Sequence, residues 1–274
     1  MERLEAALEK ARQSRRTIQL ETDALVAEEP VVEPPKPESV WSSLKEIKIS
    51  NMVARNHRIT ALSNTKQSGP YDLLRSRTLK LMRDNNWSTL AVTSPNAACG
   101  KTTVCANLAI SLARQSDFRI VLLDLDLRRP ALHKVMAHKP SESFHSVLEG
   151  KVSADQQLVR FGENLAIGLN NKPAHNPSEL LQSKRTQQRL EEIREIFKPD
   201  FVLIDMPPML ATDDNVGFLP SVDCGLLVSA ADSTTVAQLD ICEKELSELT
   251  NVLGVVLNKC RYADEDHGYD YDYY

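Results

Sequence analysis

The stretch TLAVTSPNAACGKTT, residues 89–103, decides the fold. It opens with a short β-type run, and residues 101–115 carry Val, Leu and Leu at helical spacing. Gly-Lys-Thr between a strand and a helix is the closing half of a phosphate-binding loop. Gly100 lets the backbone approach a phosphate, Lys101 carries a charge to the β and γ oxygens, and Thr102 offers a hydroxyl to Mg²⁺. The amides at the start of the helix point at the same anion.

The loop itself is poor in glycine. The pattern G-x-x-x-x-G-K-[ST] has its first glycine where this chain has Pro95, and Ala97, Ala98 and Cys99 also stand where glycine is common. We still expect Ala98 and Cys99 to line the phosphate site with Gly100. Cys99 leaves two interpretations open. It is either a small residue that fills a tight loop, or a thiol activated by the helix N-terminus and by its lysine neighbour, whose modification would block the site.

Apolar runs alternate with amphipathic stretches along the rest of the chain. Apolar strands separated by such helices indicate a parallel sheet covered on both faces. The predicted fold is therefore α/β: a doubly wound, mostly parallel sheet with helices on both faces, as in P-loop NTPases. Ligands bind such sheets beyond the carboxyl ends of the strands. Besides 89–94, the predicted strands are 119–124, 164–169, 201–205, 224–230 and 253–258, and the predicted helices include 186–197 and 236–249.

Composition predicts the domain organisation. Residues 1–16 can form a helix with one apolar face, which is either a docking element or a solvated, frayed helix. Residues 28–38, EEPVVEPPKPE, cannot build a core and predict a linker stiffened toward polyproline II. A chain cut near residue 40 should therefore keep its fold. The predicted parts are a helix and linker over 1–40, a nucleotide-binding domain over 41–261, and a disordered acidic, tyrosine-rich tail over 262–274.

The charge balance argues against a nucleic-acid partner. The formal net charge is −5, and residues 262–274 account for all of it, with five acidic residues and no Lys or Arg. The remainder sums to about zero, whereas nucleic acid demands a basic face.

No apolar run approaches the roughly 18–20 residues of a membrane helix, and the N-terminus has no apolar signal core. The five cysteines lack metal-binding spacing, so we expect a cytoplasmic protein with free thiols.

Three aspartates stand at the ends of predicted strands. Asp124 and Asp126 belong to VLLDLDLRRP, and Asp205 belongs to FVLIDMPP. Strand ends converge on the ligand side of a doubly wound sheet, where carboxylates hold Mg²⁺ or accept a proton from an attacking hydroxyl. One such aspartate alone would more often be a helix cap or a turn residue. Three of them together with Gly-Lys-Thr indicate a site for a nucleotide and Mg²⁺.

These motifs give the chain a family resemblance. SPNAACGKTT (94–103), VLLDLDLRRP (121–130) and LIDMPP (203–208) resemble the Walker A, Walker A′ and Walker B motifs of bacterial tyrosine kinases. Members of that family are P-loop autokinases that regulate polymerisation and export of capsular and exopolysaccharides. The resemblance covers about residues 70–260. The N-terminal ALEKAR and the stretches YDLLRSRTLKLMRDNNW and ELLQSK are most similar to the stand-alone branch found beside exosortase-type exopolysaccharide loci.

The resemblance implies an ATP-dependent protein-tyrosine autokinase that uses Mg²⁺. Lys101 and Thr102 would hold the phosphates and the metal, with Thr103 near the α-phosphate. Arg128, the arginine of the Walker A′ motif, would belong to the nucleotide site. Asn258 matches the family's asparagine that contacts adenine.

The same resemblance divides the three aspartates between two roles. Asp124 and Asp205 would serve the Mg²⁺ shell, and Asp126 would be the base toward tyrosine. Lys101 should be largely solvated in the empty site. Its replacement by alanine should then abolish activity without disturbing core packing.

The resemblance also implies partners. The family partner is a membrane-embedded chain-length regulator whose cytoplasmic end activates the kinase, so the chain would be recruited to the inner face of the plasma membrane. A protein-tyrosine phosphatase would remove the phosphates. Family members can assemble into rings through a Glu-x-x-Arg-x-x-Arg helix, and the matching stretch here reads DLLRSRT (72–78).

The chain ends in HGYDYDYY (267–274), which holds four of its six tyrosines. A ring beside Asp on a chain terminus buries almost nothing, so packing does not explain these phenols. The resemblance makes them substrates of the same polypeptide, phosphorylated in trans by another copy, while a tail without a role is the alternative. The predicted phosphoacceptors are Tyr262, Tyr269, Tyr271, Tyr273 and Tyr274.

Two other functions stay open. A Min/Par-like ATPase, whose nucleotide switches dimerisation on a membrane or DNA surface, is similar over the three motifs. Such proteins usually carry a second lysine early in the loop and tend to end in a basic amphipathic helix, whereas residues 94–99 contain no lysine and this chain ends acidic. The other possibility is a nucleotide-dependent regulator without kinase activity.

Overall fold

The computed structural model describes residues 37–63, 65–231 and 233–260. The predicted helix over 1–16, most of the predicted linker and the tail over 262–274 lie outside the described residues. Within the described ranges, no helix combines the length and the apolar character that crossing a membrane requires.

The described residues form eight strands and eleven α-helices. The strands are β1 (Lys45–Glu46), β2 (Thr89–Thr93), β3 (Ile120–Asp124), β4 (Val159–Phe161), β5 (Leu165–Gly168), β6 (Phe201–Asp205), β7 (Cys224–Ala230) and β8 (Asn251–Asn258). The helices are α1 (Pro37–Ser43), α2 (Asn51–His57), α3 (Gly69–Asp84), α4 (Lys101–Ala113), α5 (Leu132–Val135), α6 (His145–Leu148), α7 (Ala154–Gln157), α8 (Pro177–Gln182), α9 (Lys184–Phe197), α10 (Asp214–Phe218) and α11 (Val236–Leu249).

The strands build a single sheet in the order β1-β4-β5-β3-β6-β2-β7-β8. Every neighbouring pair is parallel except β4 and β5, which are antiparallel. The predicted fold class is therefore confirmed. The register places Asp124 at the end of β3 directly opposite Asp205 at the end of β6, and Val92 of β2 lies on the other side of Asp205. The carboxyl ends of the three central strands thus meet where the sequence predicts the ligand.

Helices cover both faces of the sheet, which explains the unbroken apolar runs of the central strands. Successive side chains of a strand point to opposite faces, so Leu90 and Val92 pack in one layer and Ala91 packs in the other. The first layer contains α2, α3, α4 and α5, and the second contains α1, α6, α9, α10 and α11. The phosphate loop lies between these layers, at the end of β2.

Helix α1 starts earlier than the predicted boundary at residue 41. Pro37 and Glu38, which we assigned to the linker, belong to this helix. Proline is well tolerated in the first turn of a helix, so its presence did not exclude one. Val40 and Trp41 are buried, and the indole N–H of Trp41 donates a hydrogen bond of 2.8 Å to the carbonyl of Phe197. A chain starting at residue 40 would therefore keep these buried side chains but lose the first three residues of α1.

Helix α3 is bound to α4 through a partly exposed polar network. The Asp72 carboxylate accepts hydrogen bonds from Arg75 at 3.1 Å, Ser111 at 3.0 Å and Arg114 at 2.8 Å. The acidic residue and the first arginine of the predicted ring-forming stretch thus contact each other and α4. Assembly through this helix stays a prediction.

Candidate nucleotide-binding site

The phosphate loop runs from the end of β2 to Lys101, the first residue of α4. Gly100 has a φ of +95°, a left-handed conformation that favours glycine. A Cβ at Gly100 would lie 2.2 Å from Nδ2 of Asn258, so a larger residue would force the Asn258 side chain to move. The same Nδ2 donates a hydrogen bond of 2.9 Å to the Cys99 carbonyl. Asn258, the last residue of β8, therefore braces the loop and lies beside the predicted phosphate site.

Lys101 lies inside a group of carboxylates. Its Nζ is 2.8 Å from Oδ2 of Asp126 and 3.4 Å from Oδ1 of Asp205, and the residue is only 8% exposed. Burial alone would lower the pKa of Lys101, but the carboxylates of Asp205 and Asp126 raise it above its ordinary value. The expectation that Lys101 is largely solvated is therefore wrong. The carboxylates of Asp126 and Asp205 hold the lysine in ion pairs.

Asp124 and Asp205 are fully buried at neighbouring strand ends. The Thr102 hydroxyl donates a hydrogen bond of 2.7 Å to Asp205, and the Leu132 amide donates one of 3.3 Å to Oδ2 of Asp124. Burial raises the pKa of both carboxyls, and the Asp205 charge raises that of Asp124 further, while Lys101 opposes both shifts. Two buried acids of this kind favour a cation between them.

The Oδ1 atom of Asp124 is buried and has no hydrogen-bond partner. An unpaired buried oxygen is costly, and a metal ion would satisfy it. The oxygens of Asp124, Asp205 and Thr102 are the hard donors that Mg²⁺ prefers. No group of three or more His, Cys, Asp or Glu side chains in the described residues forms a metal cage of its own. Mg²⁺ usually takes one or two carboxylates and completes its shell with phosphates and water.

A cleft of about 430 Å³ opens above these residues. Its volume falls in the range of small-molecule sites, roughly 300–1,000 Å³. The cleft brings the loop, the Walker A′ turn and the segment after β6 together. Its walls are Ala97, Ala98, Gly100, Lys101, Thr102, Thr103, Asp126, Arg128, Arg129, Ala131, Pro207, Pro208, Ala211 and Thr212.

Arg128 reaches away from the phosphate loop. Its guanidinium donates to both carboxylate oxygens of Asp214, at 2.8 and 3.0 Å, and to the Ser178 hydroxyl at 2.7 Å. Burial would raise the pKa of Asp214, but hydrogen bonds from Arg128 and Ser178 hold it below its ordinary value. Arg128 lines the cleft, and its guanidinium connects the turn after β3 to the start of α10. No sequence motif pointed to Asp214 or Ser178.

Cys99 is only 1% exposed, and its Sγ lies 3.7 Å from the Thr234 hydroxyl. A reagent cannot reach this thiol without opening the loop. The geometry favours the first interpretation, a small side chain that fills the loop.

Asn170 is a site residue that sequence reasoning missed. It follows β5, is fully buried, and donates a hydrogen bond of 2.6 Å from Nδ2 to the Asp124 carbonyl. Its Oδ1 accepts the His145 amide at 2.9 Å. Asn170 thus fixes the backbone that carries Asp124.

The predicted phosphoacceptors all lie outside the described residues.

Residues 90–271 match the family model described as the CobQ/CobB/MinD/ParA nucleotide binding domain. The chain belongs to this family. Within the family it is homologous to bacterial tyrosine-protein kinases. It is 28% identical over 224 residues to the putative tyrosine-protein kinase AmsA of Erwinia amylovora, a match that covers 78% of this chain and 30% of the relative. It is 30% identical over 179 residues to tyrosine-protein kinase etk of Escherichia coli K12, covering 65% of this chain and 24% of the relative.

Solved structures agree with the homology to bacterial tyrosine kinases. The kinase domain of Escherichia coli tyrosine kinase ETK superposes with a TM-score of 0.69 at 26% identity, covering 88% of this chain and all of that domain. MinD of Pyrococcus horikoshii, solved with Mg-ADP, shares the fold with a TM-score of 0.52 at 21% identity, covering 62% of this chain and 69% of that one. The chain spans less than a third of the length of the curated kinases it matches.

Proposed function

We propose that this chain is an ATP-dependent protein-tyrosine kinase that phosphorylates the C-terminal tyrosine cluster of another copy. One observation carries the proposal. In a chain homologous to tyrosine kinases, Lys101 of the phosphate loop is held by Asp126 and Asp205 in a cleft that opens to solvent. The phosphate-binding cation and the candidate base therefore occupy one small site.

The residues present suit ATP with Mg²⁺. Thr102, Asp124 and Asp205 would hold the metal, and the unpaired Oδ1 of Asp124 supports this assignment. Bound Mg²⁺ would neutralise charge on the β and γ oxygens. The amides of the loop from Ala98 to Thr103 would cradle the phosphates. The resemblance assigns Asn258 to adenine, and Asn258 lies next to Gly100, so we place the adenine end of the nucleotide on that side.

Lys101 and Asp126 suggest how nucleotide binding activates the base. Phosphates attract Lys101, and its move toward them breaks the 2.8 Å ion pair with Asp126. The released carboxylate then accepts the tyrosine proton. The tyrosine Oη forms a bond to the γ-phosphorus, the bond from that phosphorus to the β–γ bridging oxygen breaks, and ADP leaves.

The tyrosine cluster is the acceptor that the chain itself supplies. The last described residue, Cys260, lies two residues beyond Asn258, which contacts the phosphate loop. From Tyr262 to Tyr274 an extended chain spans at most roughly 40 Å, enough to enter a neighbouring copy. Its own site would require a sharp reversal, which is why we propose transfer in trans.

The cellular role follows by homology and is also a proposal. The kinase would regulate polymerisation and export of an exopolysaccharide, in the manner implied by the resemblance. It would act in the cytoplasm at the inner face of the plasma membrane, recruited by a membrane-embedded chain-length regulator and reversed by a protein-tyrosine phosphatase. The helix over 1–16 is the segment we propose for docking to that regulator.

Incubation of the pure chain with ATP and Mg²⁺, followed by mass spectrometry, tests this function. We expect phosphate on tyrosines of 262–274, and none in a full-length variant with its five tail tyrosines replaced by Phe. That variant should still bind ATP. Phosphate on Tyr71, or none at all, would contradict the proposal. ATP hydrolysis with nucleotide-dependent dimerisation but no phosphotyrosine would indicate a Min/Par-like ATPase instead.

A further inference from the structure

Two adjacent arginines follow the candidate base, and the structure gives them different surroundings. Arg128 is bound to Asp214 and Ser178. Arg129 is exposed and lines the cleft, and its guanidinium has no hydrogen-bond or ion-pair partner among the described residues. Three cations line the cleft in the described part of the chain: Arg128, Arg129 and Lys101. Lys101 is buried and forms ion pairs with Asp126 and Asp205. Arg129 therefore presents the unpaired positive charge at the cleft mouth.

The backbone fixes Arg129 close to the candidate base. The Arg129 amide donates a hydrogen bond of 3.1 Å to Oδ1 of Asp126. Pro130 follows, is buried, and disfavours the helical conformation at the residue before it. The Arg129 side chain thus leaves a constrained turn that also carries Asp126. Any hydroxyl that reaches Asp126 brings its neighbouring residues within reach of this guanidinium.

The proposed acceptors carry the complementary charge. Tyr269, Tyr271 and Tyr273 each have Asp270 or Asp272 as a direct neighbour, and residues 262–274 contain no Lys or Arg. We propose that Arg129 is a specificity-determining residue that binds the carboxylate flanking the acceptor tyrosine, so that the enzyme prefers tyrosines next to Asp. This inference rests on the proposed kinase function and names the substrate class of that site.

The test separates enzyme from acceptor. The enzyme is the full-length chain with its five tail tyrosines replaced by Phe, carrying in addition Arg129→Gln, Arg129→Lys or Arg129→Glu. The acceptor is the full-length Lys101→Met chain, with a native tail or with Asp270→Asn and Asp272→Asn. Arg55→Gln is the matched control, because it removes one exposed positive charge from α2, which does not line the cleft. Initial rates are measured against the concentrations of acceptor and of ATP.

We expect Arg129→Gln to raise the half-saturating acceptor concentration about fivefold, the upper value for one exposed ion pair. Arg129→Lys should keep most of the affinity, and Arg55→Gln should match the parent enzyme. The KM for ATP should not change. The Asp→Asn acceptor should show the same loss with the parent enzyme and no further loss with Arg129→Gln. A charge swap, Arg129→Glu with Asp270→Lys and Asp272→Lys in the acceptor, should restore transfer.

Other outcomes overturn the proposal. Equal acceptor affinity of the parent enzyme and Arg129→Gln would remove Arg129 from recognition. A raised KM for ATP, or equal losses on native and Asp→Asn tails, would make Arg129 a nucleotide contact. The absence of transfer from the parent enzyme to any acceptor would overturn the kinase function itself, and this inference with it.

Discussion

Lys101 carries one positive charge among three acidic side chains, two of which are fully buried. The lysine neutralises part of this charge when no nucleotide is present. Breaking a buried ion pair by removing one partner is costly, because the other charge is left without compensation. Single substitutions here should therefore change stability and activity together.

Lys101→Met should abolish transfer and also lower the free energy of unfolding by about 3 kcal/mol. The reason is that Asp126 and Asp205 lose their cation. Urea unfolding and phosphotyrosine detection measure the two effects. Lys80→Met, which removes an exposed lysine from α3, should change neither. Unchanged stability of Lys101→Met would show that the carboxylates do not depend on it.

Asp124→Asn should stabilise the chain without nucleotide at pH 7 while abolishing Mg²⁺-dependent transfer. The folded-state pKa of Asp124 is raised by burial, so the native chain loses stability as pH rises through that value. The variant lacks this loss of stability, which is about 1.4 kcal/mol for each unit by which the pKa is raised. Melting temperatures measured from pH 4 to 8 would show the difference, with Asp117→Asn as an exposed control. A variant less stable than the parent at pH 7 would contradict this account.

At the scale of elements, β8 and the phosphate loop form one unit through Asn258 and Gly100. Gly100→Ala should weaken nucleotide binding and stability, since its Cβ would meet Asn258 and its φ is left-handed. The backbone strain alone costs about 1–2 kcal/mol. The double variant Gly100→Ala, Asn258→Ala should recover part of the loss by removing the clash. Calorimetry with an ATP analogue measures binding by Gly100→Ala, and thermal unfolding compares the single and double variants. Strictly additive effects on stability would show that the clash is unimportant.

Elements with long apolar runs were predictable from sequence, and short polar ones were not. Strand β6 is buried along its whole length, so its pattern is clear. Strand β1 has only two residues, both exposed, and β4 has only three, of which one is buried. Both are too short for a pattern, and neither was predicted. The phosphate loop and the three aspartates were predicted because their chemistry is local in sequence. The roles of Asn170 and Asp214 were not, since both depend on contacts with distant residues.

At the scale of the whole molecule, α1 belongs to the folded domain. A chain starting at residue 36 should keep its melting temperature, since Val40, Trp41 and Leu44 remain. A chain starting at residue 45 should lose about 3–5 kcal/mol, the usual cost of removing a buried aromatic side chain. Both chains lack the helix proposed for docking. Equal melting temperatures would show that α1 contributes nothing to the core.

Transfer between molecules should be visible on mixing. The full-length Lys101→Met chain keeps the proposed acceptor tyrosines but should lack kinase activity. The enzyme with five Phe replacements should keep kinase activity but lacks the acceptor tyrosines. Phosphotyrosine should appear only in the mixture, at a rate that rises with concentration. No transfer at any concentration would rule out the trans mechanism.

The hydrogen bond between Asn258 and the Cys99 carbonyl joins positions 159 residues apart. A ribosome adds about 5–20 residues per second, so roughly ten to thirty seconds pass between the synthesis of the loop and that of its brace. During that interval a nascent chain carries Gly-Lys-Thr without the hydrogen bond that Asn258 supplies. The tail tyrosines follow Asn258 in the order of translation. If the proposed function holds, the brace of the enzyme site and the acceptor tyrosines are therefore synthesised within seconds of each other.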